Sequence, residues 1–310
     1  MKTFRAKIKM SGSYISKLQS DTLFGGLCWA YKSLEGNDAL GKLLSDCVIG
    51  RPLFVVSDLL PADLLPKPFL PPIPVRREAV SKDELLEAAG QAKRLKETTW
   101  LTFDEFQAAA SGESIIPAAK QPPDKTVLTL HNTISRATNT TLDEGGLYDL
   151  PETFSAVSHM TLYLKIADGW EDKIEKCLKL LGEMGVGKRR SAGKGGFNVF
   201  EFAPFAGLDA LDGANAFVSL SHFVPAPDDP SHGNYKTIVK YPKLDREYAI
   251  SPNPFKYPLI LLVPGSVFYT DSAPRPFYGR VLQNIAPGFP KALQGCFAFA
   301  APAKLMEATS

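Results

Sequence analysis

The sequence predicts an α+β fold, on three observations. The first ten residues alternate apolar and charged side chains as a half-buried strand does; two later stretches, about 20–34 and 172–181, carry an apolar stripe at helical spacing; the last hundred residues hold short strand-like runs with little helical signal. A chain of 310 residues is long enough for two ordinary cores. Hydrophobic content of 45% with 22% charged residues is that of a folded, water-exposed protein. Net charge is +2, which excludes a polyanion-binding body spread over the whole surface, so any such contact has to be a local patch.

Taken in order, Phe4, Ala6, Ile8 and Met10 alternate with Arg5, Lys7 and Lys9 to give the first strand. After Ser11-Gly12-Ser13, Ser20 or Asp21 is placed to cap a helix whose stripe is Leu23, Leu27, Tyr31 and Leu34, widened by Phe24 and Cys28. A short helix near 38–47 leads to a strand over 53–57. From Leu60 to about Lys125 the character changes. Prolines at 61, 66, 68, 71, 72 and 74 remove backbone donors, and helices are expected over 82–95 and 103–110. This reads as an insertion in the first domain, a packing or partner-facing elaboration rather than a catalytic lid.

Strands are expected at 126–130 and 159–166, pairing as a long hairpin whose tip carries Arg136. A helix over 172–181 follows, with Ile174, Cys177, Leu178 and Leu181 on one face, and then a strand over 196–205. The regular parts up to residue 205 read β, α, β, insertion, β, α, β, the ferredoxin-like order of RRM-type modules. Beyond Gly207, strands near 216–223, 235–241, 259–269, 278–285 and 296–301 make a second ferredoxin-like unit, degenerate and strand-rich. Domains are thus expected at 1–205, with the insertion at about 60–125, and at 206–310. Phe268, Tyr269, Phe277 and Tyr278 can stack on bases, though strand aromatics more often fill cores.

Cys28, Cys47, Cys177 and Cys296 lie far apart, without metal-ligand or redox spacing, and read as reduced core thiols. The first ten residues lack an apolar leader, and the longest aliphatic run, Leu259 to Val263, is far short of a membrane span. A cytoplasmic protein is expected.

One stretch stands out. Gly185-Val-Gly-Lys-Arg-Arg-Ser-Ala-Gly-Lys-Gly-Gly196 holds five glycines, four basic residues and no acid. Glycine admits positive φ and close approach, and Lys188, Arg189, Arg190 and Lys194 supply donors for phosphate oxygens. Neither nucleotide fingerprint fits: Lys188 stands where a P-loop needs glycine, and Arg190 where a dinucleotide turn needs one. The loop follows a helix C-terminus, which repels anions, so the side-chain cations and loop amides have to supply the attraction. The alternative reading is a capping glycine followed by a solvated basic turn.

A second polar segment runs from His131 to Thr141, where Asn132, Arg136 and Thr138 offer groups suited to sugars and phosphates. Of the four histidines, His131 has polar and cationic neighbours and is the candidate general base for metal-independent RNA cleavage, whereas His159 and His222 read as packing residues. The pairs Asp143-Glu144 and Asp228-Asp229 read as turns, so neither a metal nor a cofactor is expected.

Three pieces together, Ser20-Asp-Thr-Leu-Phe-Gly25, His131-Asn-Thr-Ile-Ser-Arg136 and Gly187-Lys-Arg-Arg-Ser-Ala-Gly-Lys-Gly195, resemble the RAMP subunits of type III CRISPR effector complexes. Among these the sequence is most similar to the fourth Csm subunit family of type III-A, the Cas-five-like subunits that hold the crRNA 5′ end. The resemblance covers most of 1–205 and is less specific beyond. It implies two ferredoxin-like domains and binding of the repeat-derived 5′ tag of a guide RNA. It also implies contact with the large polymerase/cyclase-like subunit and with a backbone RAMP subunit, with no membrane and no direct DNA partner. By position it places Gly185, Gly187, Lys188, Arg189, Arg190, Ser191, Gly193, Lys194 and Gly195 along the tag, Asn132, Arg136 and Thr138 nearby, and Ser20, Asp21 and Phe24 at a helix N-terminus facing a phosphate. Backbone RAMP subunits that cut target RNA carry an aspartate after the first strand. Here Ser11-Gly12-Ser13 stands there, so target cleavage is not implied.

Overall fold

The computed structural model describes residues 1–70, 90, 93–113, 115, 124–142, 144 and 146–305. The first half is built on β1 (Lys2–Met10), followed by helices α1 (Ser20–Glu35) and α2 (Asn37–Val48) and strand β2 (Phe54–Val56). Short strands β3 (Leu60–Pro61), β4 (Leu65–Pro66) and β5 (Trp100–Leu101) and helix α3 (Phe103–Ala110) come from the insertion. Then follow β6 (Lys125–Asn132), β7 (Leu147–Phe154), β8 (Met160–Ile166), helix α4 (Glu171–Met184) and β9 (Phe197–Pro204).

The alternation read at the start holds: Phe4, Ala6 and Ile8 are buried on one side of β1. β1 lies between β8 and β9 and β2 flanks β8, every neighbouring pair antiparallel. With the insertion, α2 and the separate β6–β7 hairpin set aside, α1 and α4 alternate with the four strands of this antiparallel sheet, the α+β arrangement expected. α4 buries Ile174, Cys177, Leu178 and Leu181, the stripe the period implied, and α1 buries Leu23, Leu27 and Tyr31. Leu34 departs from that stripe and is exposed, in the last turn of α1. In the insertion, Thr102 and Glu105 form a reciprocal capping box on α3. The helix expected over 82–95 lies almost wholly outside the described residues.

Two local expectations are corrected. The hairpin is formed by β6 with β7, with His131 opposite Tyr148 and Lys125 opposite Phe154; β8 instead pairs with β1. Pro151 inside the run 147–154 masked that strand, and the hairpin tolerates it because, among the described residues, β7 pairs on its other edge only through the single bridge of Thr153 to Tyr14. The N-cap of α1 is Gln19, which makes no side-chain cap, so Ser20 and Asp21 fall in the first turn. Asp58 serves there instead: its Oδ1 accepts from the Ser20 amide at 2.9 Å, a carboxylate at the positive end of the helix.

The second half contains β10 (Ala216–Ser219), β11 (Gly233–Asn234), β12 (Thr237–Lys240), β13 (Leu259–Leu262), β14 (Val267–Tyr269), β15 (Phe277–Leu282) and β16 (Gln294–Ala303). The single strand expected over 259–269 is two, broken where Pro264 and Gly265 turn the chain. The sheet order is β11-β14-β10-β16-β15, all antiparallel, with β12 and β13 as a separate pair. Among the described residues beyond 205 there are 3-10 turns but no α-helix. The second unit is strand-rich as predicted, yet its order differs from the ferredoxin-like one.

The two halves share one continuous core that includes Leu23, Leu164 and Leu178 together with Val218, Val267 and Phe299. α1 sits at the junction: Phe24 stacks on Phe54 of β2 at 5.0 Å and meets Phe297 of β16 edge-on at 5.7 Å. Across the other face of β8, Tyr163 is 6.3 Å from Phe299, and the buried Lys165 Nζ donates to the Ala300 carbonyl at 2.7 Å. All four cysteines are buried free thiols. Among the described residues no helix is long and apolar enough to cross a membrane.

Candidate nucleic-acid interface

The glycine-rich loop joins α4 to β9, as its sequence predicted, and is folded back on itself. The Val186 amide donates to the Gly195 carbonyl at 3.0 Å and the Lys194 amide to the Arg189 carbonyl at 3.2 Å, around a 3-10 turn at Arg190–Ala192. The segment after β1 braces it: Gly195 N donates to the Ser13 carbonyl at 3.0 Å, and Lys188 N to Ser16 Oγ at 3.0 Å. Gly195 has φ +70°, and a Cβ there would lie 2.0 Å from the Val186 carbonyl oxygen, so the fold itself demands glycine. Gly185 and Gly195 are buried, which makes them hinges of the loop rather than surfaces for a ligand.

The four cations divide into two pairs. Lys194 Nζ lies 2.7 Å from Glu152 Oε2 of β7 and 3.0 Å from Ser13 Oγ. Arg190 lies 2.6 Å from Asp245 Oδ2. These two face carboxylates of the chain itself, so a phosphate would meet them in competition with Glu152 and Asp245. Lys188 and Arg189 are exposed, as is Ser191, and neither cation has a carboxylate partner among the described residues.

Glu152 ties the loop to the hairpin. Its side chain is 3% exposed and accepts from Ser13 Oγ at 2.7 Å and from Lys194, while its Oε1 lies 3.3 Å from His131 Nε2. The Lys194 hydrogen bond first, then that of Ser13, holds its carboxyl below the usual glutamate range. Above it, the His131 and Tyr148 rings stack at 5.6 Å and 17° as a cross-strand pair. Arg189 completes the column, donating to Tyr148 Oη at 2.6 Å with its guanidinium 5.4 Å from that ring. The result is a cationic edge flanked by a half-exposed aromatic step, which suits a sugar-phosphate chain with an unstacked base.

Asn132, Arg136 and Thr138 are exposed on the same hairpin, further toward its tip; Asn132 Nδ2 reaches Thr141 Oγ1 at 3.4 Å and Thr138 bonds Thr140. Arg136 has no carboxylate partner among the described residues. Ser20, Asp21 and Phe24 are not part of this surface. All three are buried: Ser20 Oγ donates to the His222 carbonyl, Asp21 accepts from Lys240 at 2.6 and 2.8 Å and from Gln294 at 2.8 Å, and Phe24 fills the junction between the sheets. Their expected phosphate contact is therefore corrected, since every donor and acceptor named there is taken up internally. Phe268 and Tyr278 are likewise core residues, in a stack where Tyr278 lies 4.0 Å from Phe217.

Tyr148, Glu152, Ser13 and Ser16 were not singled out from the sequence as site residues. A signal existed for the first two, which share one side of a period-two run with Leu150. No cluster of His, Cys, Asp and Glu able to hold a metal occurs among the described residues.

The fold is thus an α+β one, with an antiparallel sheet ordered β2-β8-β1-β9 and a cationic glycine-rich loop between α4 and β9. No family model and no curated protein matches the chain in sequence. Solved structures match it along its length. A chain of the Csm1-Csm4 cassette in complex with pppApA is 19% identical, with 99% of this chain and 100% of that chain covered and a TM-score of 0.64. The same cassette in complex with cA4 gives 19%, 99%, 100% and 0.63. A chain of the Csm3-Csm4 subcomplex in the type III-A CRISPR-Cas interference complex gives 16%, 98%, 100% and 0.63. Csm4 is the subunit those assemblies have in common, and the fold described here is Csm4-like.

Proposed function

We propose that this chain is a non-catalytic RNA-binding subunit of a type III-A CRISPR interference complex. In this reading it holds the repeat-derived 5′ tag of the crRNA and docks a large polymerase/cyclase-like subunit and a backbone RAMP subunit. The observation that carries the RNA assignment is the exposed Lys188–Arg189 pair, uncompensated by acid among the described residues and set beside the His131–Tyr148 stack. The partner assignment is supported by the likeness to chains from assemblies of Csm4 with Csm1 and with Csm3. Crosslinking within the co-purified particle tests it: the terminal tag nucleotides should crosslink to the hairpin and to the loop 185–196. Crosslinks to other subunits alone would reject the assignment.

A second reading, metal-independent endoribonuclease with His131 as general base, keeps one observation in its favour, the Glu152 carboxylate 3.3 Å from the imidazole. It requires that purified protein cut CRISPR RNA and that His131→Ala stop it. Intact RNA after incubation leaves the binding role.

A further inference from the structure

The segment that braces the basic loop also borders a cavity of about 660 Å³, because Tyr14 and Lys17 line it while Ser13 and Ser16 hold the loop. Four lysines line this cavity, Lys17, Lys67, Lys96 and Lys236, with Phe69 and Trp100 among its apolar walls. Only two carboxylates line it, and both are committed elsewhere. Asp58 is taken by His222 and two backbone amides, and Asp124 accepts from Tyr14 Oη at 2.6 Å and from the Ala156 amide at 3.2 Å. None of the four lysines has a carboxylate partner among the described residues.

Lys67 is half-buried, and its ammonium donates to the Leu95 carbonyl. Lys236 lies over the Phe69 ring at 4.8 Å. Both residues line the same cavity, and burial first, then the charge of Lys236, lowers the Lys67 pKa. With four lysines against two carboxylates the lining carries an excess of positive charge, which an anion relieves. An inorganic anion alone leaves the Phe69, Trp100, Pro66 and Val263 walls unfilled, and a neutral ring leaves the lysines unanswered. The volume is within the range that encloses a ligand of mononucleotide size.

The geometry points to a nucleotide site in this cavity, the base lying against the Trp100 wall and the phosphate beside Lys67 and the Lys236 ammonium that lies over Phe69. The chemistry is the same for a free nucleotide and for the terminal nucleotide of a strand; identifying it with an RNA end rests on the RNA-binding reading above.

Calorimetric titration of the full chain tests the site, with adenosine and uridine 5′-monophosphate, adenosine and inorganic phosphate as probes. At least one monophosphate is expected to bind at least tenfold more tightly than adenosine or phosphate. Lys67→Ala/Lys236→Ala should weaken it tenfold or more without lowering the melting temperature, and Trp100→Phe should retain more binding than Trp100→Ala. An eight-nucleotide RNA with or without a terminal phosphate then separates the sources. Displacement of the monophosphate marks a strand end, and undisturbed binding marks a free nucleotide; both uphold the site. Failure of both monophosphates and of the RNA end to bind, or binding undiminished in the double lysine variant, overturns it. Because Lys188→Ala/Arg189→Ala lies outside the cavity, loss of RNA binding there with monophosphate binding intact separates failure of one reading from failure of the other.

Discussion

Lys194 Nζ sits 2.7 Å from Glu152 Oε2, so a cation of the glycine-rich loop is tied to a nearly inaccessible carboxylate on the second strand of the projecting hairpin. The pair joins residues 42 apart in sequence and sets where the loop lies relative to the His131–Tyr148 step. Breaking it should disturb the site without touching Lys188 or Arg189. Glu152→Gln is expected to lower the melting temperature and weaken RNA binding. The Glu152 pKa is depressed in the folded state, so its stabilisation is present at neutral pH and lost as pH falls through the folded value. Thermal melts between pH 7 and pH 4 should therefore show a steeper loss for the native chain than for Glu152→Gln.

The division of the four cations makes a quantitative contrast. Each phosphate contact on single-stranded nucleic acid contributes a salt slope of about 0.7. Lys188→Ala/Arg189→Ala should then reduce the slope of log affinity against log salt by about 1.4, whereas Arg190→Ala, whose charge is already matched by Asp245, should change it by less than half of that. Equal slopes for the two variants would remove the distinction drawn here.

Asp58 gathers the Ser20 amide, the His222 amide at 3.0 Å and the His222 imidazole at 2.5 Å, linking the start of α1 to the second half. Hydrogen bonding and the charge of His222 outweigh burial and keep its carboxyl below the usual range. Asp58→Ala leaves all three partners without it and should destabilise the fold by roughly 3 kcal/mol. Denaturant unfolding measures this directly, and both sheets should lose structure in one transition because they share a core.

Two glycines of one loop should respond differently. Gly193 has φ +77° with open space at the Cβ position, so Gly193→Ala costs only the left-handed backbone, about 1 kcal/mol. Gly195→Ala adds a collision with the Val186 carbonyl and should cost clearly more, read as the difference in denaturation midpoint between the two variants.

Burial lowers the Lys165 pKa from 10.5 to about 8. Between those values the unfolded chain binds more protons, so stability rises with pH there by up to ~1.4 kcal/mol per unit. Lys165→Met should flatten that rise. A native stability curve already flat from pH 8 to pH 10 would contradict the assignment.

How far the sequence reached depends on the range of the interaction. The alternation of Phe4, Ala6 and Ile8 and the stripe Ile174, Cys177, Leu178 and Leu181 are local periodicities, and both returned as buried faces. The hairpin partner differs from the expected one because Pro151 interrupts a strand pattern that an edge-type pairing with β6 tolerates. Ser20 and Asp21 resembled a cap, but a buried carboxylate 38 residues away, Asp58, took that role.

By itself the sequence determined the α+β class, the succession β1, α1, α2, β2, α3, β6, β8, α4 and β9 in the first half, the position of the cationic loop between α4 and β9, and the reduced, buried cysteines. These follow from side-chain period and backbone permissiveness, which neighbouring residues dictate. Tertiary structure alone decided which cations stay uncompensated, because Glu152 and Asp245 reach Lys194 and Arg190 from other parts of the chain. It also decided that Ser20, Asp21 and Phe24 are interior, and that lysines from four segments line one cavity. Charge compensation acts through a few ångströms of space whatever the separation along the chain, and no pattern of adjacent residues encodes it.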